Sequence, residues 1–383
     1  MLSQQRLLTP GPTPIPDKVR LAMAAPMIHH RKPEFKAVYQ ETQKYLQQLF
    51  GTAQPVIPLS SSGTGAMTAA VINLFKPGET VLVAEAGKFG ERWLEIAQSQ
   101  GLDVVRLSKP WGEAIETEDI RSALDAHPEA SGVLVQISET STGVMHPIRD
   151  IAAVTRERDV LLVADGISAV GISPCPMDEW GIDVLLTGSQ KGLMVPPGLA
   201  LIALSERAWK KAERQHTSCF YFDLLAERAN GMKNQTNFTS PVSLIIGLNE
   251  ALRIILDEGL EEVYKKQWAL TQMTRTGVSL MGLDLLAPRH YAWGLTAVKL
   301  PEGLTASAIT ARMTKELGVT VSSGQAPMKE NVIRVAHMGW VDWGDLAAAL
   351  HALAYCLPGS PKGYLEPALE AYHAALREYP PQA

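Results

Sequence analysis

The chain has 383 residues, 46% of them hydrophobic and 20% charged, long enough for one large domain and a smaller second one, each with its own core. Lys plus Arg number 35 against 40 Asp plus Glu, a formal net charge of −5, and no long run of either sign points to nucleic acid or an anionic membrane as partner. The first residues lack the charged-then-apolar order of a secretion signal and runs such as 160–164 are too short to span a bilayer, so a cytoplasmic protein with small-molecule partners is expected.

Pro10-Gly11-Pro12-Thr13-Pro14 cannot be helix interior, because proline lacks the N–H and restricts the residue before it, so residues 1–16 are expected as an extended arm. Helical patterning begins near Asp17. Between about 55 and 205, short apolar, often β-branched runs at 56–59, 81–84, 104–107, 133–137, 160–164, 184–186 and 199–204 alternate with amphipathic stretches. That alternation predicts an α/β fold, a mostly parallel sheet sandwiched by helices, over a large domain of 17–257. The stretch 241–281 is helical with a break at Glu258-Gly259, since glycine commonly ends helices. Strands at 295–300, 319–321 and 332–335 around a helix at 306–317, then helices at 342–356 and 364–377, predict a smaller C-terminal α+β domain over 258–383. Cys175, Cys219 and Cys356 are widely spaced with no Cys-x-x-Cys pair, and His29-His30 on an extended segment point to opposite faces, so neither disulfides nor a metal site is expected.

Three segments carry chemistry. Ser60-Ser61-Ser62-Gly63-Thr64-Gly65-Ala66-Met67 follows one strand and opens a helix, where small residues and the helix N-terminus suit an anion; a plain helix cap is the commoner use of such a turn. It lacks both the Gly-Lys-Ser/Thr ending of a nucleotide P-loop and the glycine spacing of a dinucleotide fingerprint. Asp165 ends the apolar run 160–164, at the strand end where open α/β sheets bind ligands, and fits either a turn cap or a partner for a heteroaromatic ring nitrogen. Lys191 follows the run 184–186 in a bed of Gly, Ser and Gln; a surface lysine is the default, whereas burial would lower its pKa and make it a usable amine.

Together these segments resemble the class V aminotransferases, of fold type I among the pyridoxal 5′-phosphate (PLP) enzymes. The likeness is greatest to the alanine–glyoxylate, serine–glyoxylate and serine–pyruvate group. Pro10-Gly11-Pro12-Thr13-Pro14, Ser62-Gly63-Thr64-Gly65, Gly87-Lys88-Phe89-Gly90-Glu91-Arg92-Trp93, Glu139-Thr140-Ser141-Thr142-Gly143, Gly188-Ser189-Gln190-Lys191 and Pro196-Pro197-Gly198 carry it over most of the chain, thinning after about 357. The resemblance implies a homodimeric transaminase that passes an amino group from a small amino acid such as alanine or serine to a small 2-oxo acid such as glyoxylate or pyruvate. Lys191 would hold PLP as a Schiff base and move the substrate's α-proton, and the reaction would be ping-pong. Asp165 would pair with the ring nitrogen, and Ser62, Gly63, Thr64 and Gln190 would hold the phosphate. Phe89, where the family often has tryptophan, would stack on one ring face and Ile167 pack on the other, with Thr140 near the ring oxygen. Arg334, in Val332-Ile333-Arg334-Val335, would bind the substrate carboxylate; the residues alone favour a surface ion pair there. Thr239 would serve the partner subunit's phosphate site. Thr64 stands where the animal branch often has histidine, which places the chain nearer the microbial branch.

Cysteine desulfurase chemistry needs a thiolate on a mobile loop, and 322–329 holds no cysteine. A PLP lyase or decarboxylase on the same scaffold differs only in which bond at the α-carbon is aligned, which the sequence does not fix. A non-catalytic subunit of a larger redox complex has no support in three scattered cysteines.

Overall fold

The computed structural model describes residues 5–215 and 217–379; residues 1–4 of the expected arm and 380–383 of the expected small domain lie outside the described residues. Its centre is a seven-stranded sheet in the order Val56–Leu59, Ala200–Leu204, Val184–Gly188, Leu161–Asp165, Gly132–Gln136, Thr80–Glu85, Asp103–Ser108. Four neighbouring pairs are parallel, and Ala200–Leu204 runs antiparallel to both of its neighbours. Six strands therefore point the same way, and their carboxyl ends share one edge of the molecule.

The inner strands are apolar on both faces because both faces are covered. Alternate side chains go to opposite sides: Leu162, Ala164 and Leu185 pack with helices Pro33–Phe50, Ile148–Glu157 and Val242–Glu258, while Leu161, Val163, Val184 and Leu186 pack with Gly63–Leu74, Lys88–Ser99 and Glu206–Gln215. The edge strand Asp103–Ser108 has no fully buried residue, with Asp103, Arg106 and Ser108 exposed and Val104, Val105 and Leu107 half-buried.

The helical stretch after Pro241 breaks where expected, with Val242–Glu258 closed by Gly259 at a φ of 91° and Leu260–Leu280 starting beyond it. A third apolar cluster joins Leu270, Met273 and Val278 of that second helix to Val298, Ile333 and Val335 of a three-stranded antiparallel sheet, and to helices Ala306–Leu317 and Trp343–Cys356. The arm is tied in rather than merely extended. Arg6–Leu7 pairs in parallel with Val319–Thr320, and Leu8 is buried in the third cluster.

At the opposite edge from the strand carboxyl ends, Asp183 fastens three strands. Its buried carboxylate accepts from Leu162 N–H at 3.0 Å, Ser205 Oγ at 2.8 Å and the Arg207 guanidinium at 3.1 and 3.2 Å. Asp183→Ala leaves those donors unmatched and should cost about 2–4 kcal/mol of unfolding free energy. Urea denaturation at fixed protein concentration checks this, and a loss under about 1 kcal/mol would show the clamp to be ornamental.

Candidate functional site

Because the six like-directed strands end at one edge, the loops that follow five of them supply residues to the same place. After Val56–Leu59 comes Ser62, the residue preceding helix Gly63–Leu74; Gly65 N–H turns back to Ser62 O at 2.8 Å, and the N–H groups of Gly63 and Thr64 have no hydrogen bond among the described residues. A β-carbon on Gly63 would lie 2.3 Å from Ile167 Cδ1, so with glycine here Ile167 lies against this loop and a larger residue would push its side chain aside.

Asp165 is the last residue of its strand and 4% exposed. Its Oδ1 accepts from Ile167 N–H at 2.8 Å, and its other oxygen has no hydrogen bond among the described residues. Burial pushes its carboxyl up to about 7, the Ile167 N–H opposes this, the Glu139 carboxylate adds to it, and Lys191 and Arg92 draw it back.

Lys191 lies three residues past Val184–Gly188, on a turn pinned by Ser189, whose Oγ donates to Pro196 O at 2.6 Å. The side chain is 8% exposed, and Nζ donates to the Pro10 carbonyl of the arm. Burial lowers its pKa to about 8; Asp165 resists that shift, and Arg334 and Arg92 reinforce it. A lysine so placed carries enough free amine near neutrality to attack a carbonyl. The arm lies directly on it. A β-carbon at Gly11, whose φ is +107°, would fall 2.7 Å from Lys191 Cε, and Thr13 donates to Gln190 O and, through Oγ1 at 2.9 Å, to Lys191 O.

From the small sheet comes Arg334, 6% exposed, whose Nε donates to Ser323 O at 3.0 Å and Nη1 to Thr140 O at 3.2 Å. The expected surface ion pair is absent among the described residues. Burial lowers the Arg334 pKa to about 10, against the pull of Glu139. Thr140 is buried and shares a 2.7 Å hydrogen bond with Ser168. Phe89 is half-buried on the first turn of Lys88–Ser99. Gln190 Oε1 is buried with no partner among the described residues, and turning that amide would present its NH2 group instead.

Of the eleven residues singled out in the sequence, Thr239 stands apart. It is exposed and lines a separate cavity of about 530 Å³ with Met27, Ile28, His29, His30 and Leu244. Two groups that sequence reasoning passed over belong to the cluster. Glu139, fully buried, accepts from the N–H groups of Phe89 at 3.0 Å, Gly90 at 3.1 Å and Ser141 at 3.0 Å, and from Ser141 Oγ at 2.6 Å, which fixes the start of the Phe89 helix. Burial raises its pKa and these donors oppose the rise. Arg92, on the same helix, donates to Thr64 Oγ1 at 3.2 Å. Both stood inside segments quoted above; the signal was a charged residue following an apolar strand or one helical turn beyond Phe89.

No group of three or more His, Cys, Asp or Glu among the described residues is arranged to hold a metal ion, and no helix among them is long and apolar enough to cross a membrane.

The family model described as aminotransferase class-V matches residues 15–340. An L-aspartate–glyoxylate aminotransferase of Paracoccus denitrificans is 36% identical over 350 residues, 88% of this chain and 87% of that protein. A Synechococcus protein named as the small subunit of a soluble hydrogenase is 36% identical over 359 residues, 92% and 93% of the two chains. Among solved structures, an alanine–glyoxylate aminotransferase from Nostoc superposes with a TM-score of 0.88 at 32% identity, over 93% of this chain and 96% of that one.

The raised Asp165 pKa makes a signed prediction for the cofactor-free protein. An unfolded Asp titrates near 4 and Asp165 near 7, so across that window the folded state holds the extra proton and stability falls as pH rises. Asp165→Asn removes this penalty. Its melting temperature should exceed the wild type's at pH 8, with the gap closing by about pH 4; a gap that is constant with pH would contradict the buried-carboxyl reading.

Proposed function

The chain belongs to the class V aminotransferase family, and on that premise we propose that it transfers an amino group from a small amino acid, alanine or serine, to a small 2-oxo acid, glyoxylate or pyruvate, with PLP as cofactor. The observation that carries this reading is the burial of Lys191 and Asp165 together at the carboxyl ends of adjacent parallel strands, with Arg334 brought to Thr140 beside them.

The open partners of the site suit PLP. The unmatched Gln190 amide and the first turn after Ser62 fit a phosphate, and the free Asp165 oxygen fits a protonated ring nitrogen. When bound, PLP supplies an aldehyde that exchanges amino groups and a ring that accepts the electron pair left at the α-carbon. Around it the chain's own residues divide the work. Ser62, Gly63, Thr64 and Gln190 would hold the phosphate, Phe89 and Ile167 would confine the ring, and Thr140 would serve its oxygen-bearing side. Asp165 keeps a proton on the ring nitrogen, a role that its desolvation strengthens once a positive charge is supplied. Lys191, held near neutral pKa, anchors the cofactor through its amine and then takes and returns the proton at the substrate α-carbon. Arg334 binds the α-carboxylate through its planar fork, so donor and acceptor use one site in turn, a ping-pong scheme.

The unit proposed is a homodimer. Leu21, Met27, Phe220, Tyr221 and Met232 are exposed apolar side chains. Thr239 lies beside Met27, and in this reading it completes the partner's phosphate site. The proposed division is a large domain over 17–257 and a small one over 258–383, preceded by the arm.

Incubation with PLP should give a visible absorbance band that shifts when alanine or serine is added, and Lys191→Ala should lack the lysine-dependent band. Arg334→Lys should raise KM for both donor and acceptor about 10- to 100-fold with a smaller fall in kcat, because one ammonium replaces a two-pronged grip. Unchanged KM values would remove Arg334 from carboxylate binding. Release of carbon dioxide or ammonia without transfer to a 2-oxo acid would point to a decarboxylase or lyase instead.

A further inference from the structure

The phosphate seat described above has hydroxyls and N–H groups but no cation: Ser60 through Met67 contains no Lys, Arg or His. A helix N-terminus offers the equivalent of about half a positive charge, against about −1.5 to −2 on a phosphate monoester at neutral pH. About one unit of charge is missing.

Arg92 is placed to supply it. It sits one helical turn after Phe89 on Lys88–Ser99, on the same face. Its Nη1 donates to Thr64 Oγ1 at 3.2 Å, and its guanidinium carbon lies over the Phe89 ring, 4.8 Å from the ring centre. That is the only hydrogen bond it makes among the described residues, and no carboxylate there pairs with it; Lys88, on the same helix, is paired with Glu91 at 2.6 Å. A guanidinium carries five N–H donors, so four remain for an anion. Arg334 is committed on another side, to Ser323 O and Thr140 O. The charge of Arg92 reaches the centre of the site, since it lowers the pKa of both Asp165 and Lys191. The helix that carries it is fastened through Phe89 and Gly90 to the buried Glu139 carboxylate.

We propose that Arg92 is the counter-cation of the cofactor phosphate, holding it against the Thr64 end of the loop. The proposal rests on the PLP reading above and adds a phosphate-holding residue to it. The competing source of the same chemistry is the second carboxylate of a dicarboxylic donor such as aspartate, and the arms of the test separate the two.

Cofactor-free wild type, Arg92→Gln and Arg92→Lys are titrated with PLP and, separately, with pyridoxal, which lacks the phosphate, and dissociation constants are read from absorbance. Arg92→Gln should weaken PLP about 10- to 100-fold and leave pyridoxal within about 2-fold, and Arg92→Lys should recover most of the loss. Equal weakening of PLP and pyridoxal would mean damage to the Phe89 helix and overturn the proposal. So would unchanged PLP affinity, and if this came with a raised KM for aspartate but not alanine it would assign Arg92 to the donor's side chain. Wild type that takes up neither PLP nor pyridoxal would instead defeat the functional reading on which the proposal stands.

Discussion

Lys191 and Asp165 are ionisable side chains held out of water at the ends of adjacent strands, and much of the surrounding structure serves to keep them there. Burial pushes the two toward their neutral forms, the lysine down and the carboxyl up, while their mutual attraction opposes both shifts. Neither could be stable in isolation. The cluster is held in the interior because each neighbour matches part of it: Pro10 O meets the amine, Ile167 N–H meets the carboxylate, and Glu139 balances Arg334.

Close approach is what makes that burial possible. Gly11 lets the arm lie against the Lys191 methylenes, and Gly63 lets Ile167 reach the phosphate-type loop. The arm also links regions that the sequence keeps far apart. Leu8 bonds to Thr320 and to Ala336, two residues beyond Arg334, while Thr13 bonds to the Lys191 turn. Arg334 and Lys191 are thereby joined by a short run of backbone.

Much of this was legible in the residues. Strands buried on both faces must be continuously apolar, so runs such as 133–137 and 184–186 marked them, and Gly259 marked the helix break. The reversed direction of Ala200–Leu204 left no trace, since an apolar run reads alike either way. The hairpin of Ser138–Glu139 with Val144–Met145 was too short for a periodic pattern. Helix Pro33–Phe50 was readable, with buried Phe35, Tyr39, Leu46 and Leu49 at helical spacing, and the expectations above omit it. For the site, Asp165 and Lys191 stood out as charges beside apolar strands. The contact of Lys191 with Pro10 spans 181 positions and depends on tertiary folding alone. Glu139 and Arg92 sat within recognised segments, but what they do depends on which backbone N–H groups and hydroxyls they meet, and that only coordinates give.

The central claim is that Lys191 is the residue that carries the cofactor. Borohydride fixes the link between a lysine amine and a bound aldehyde, so the protein incubated with PLP, reduced, digested and examined by mass spectrometry addresses the claim directly. The pyridoxyl phosphate adduct is predicted on the peptide containing Lys191 at about one per chain, and it should vanish from that position without PLP. An adduct confined to other lysines, or none above the level of a denatured control, would contradict the account.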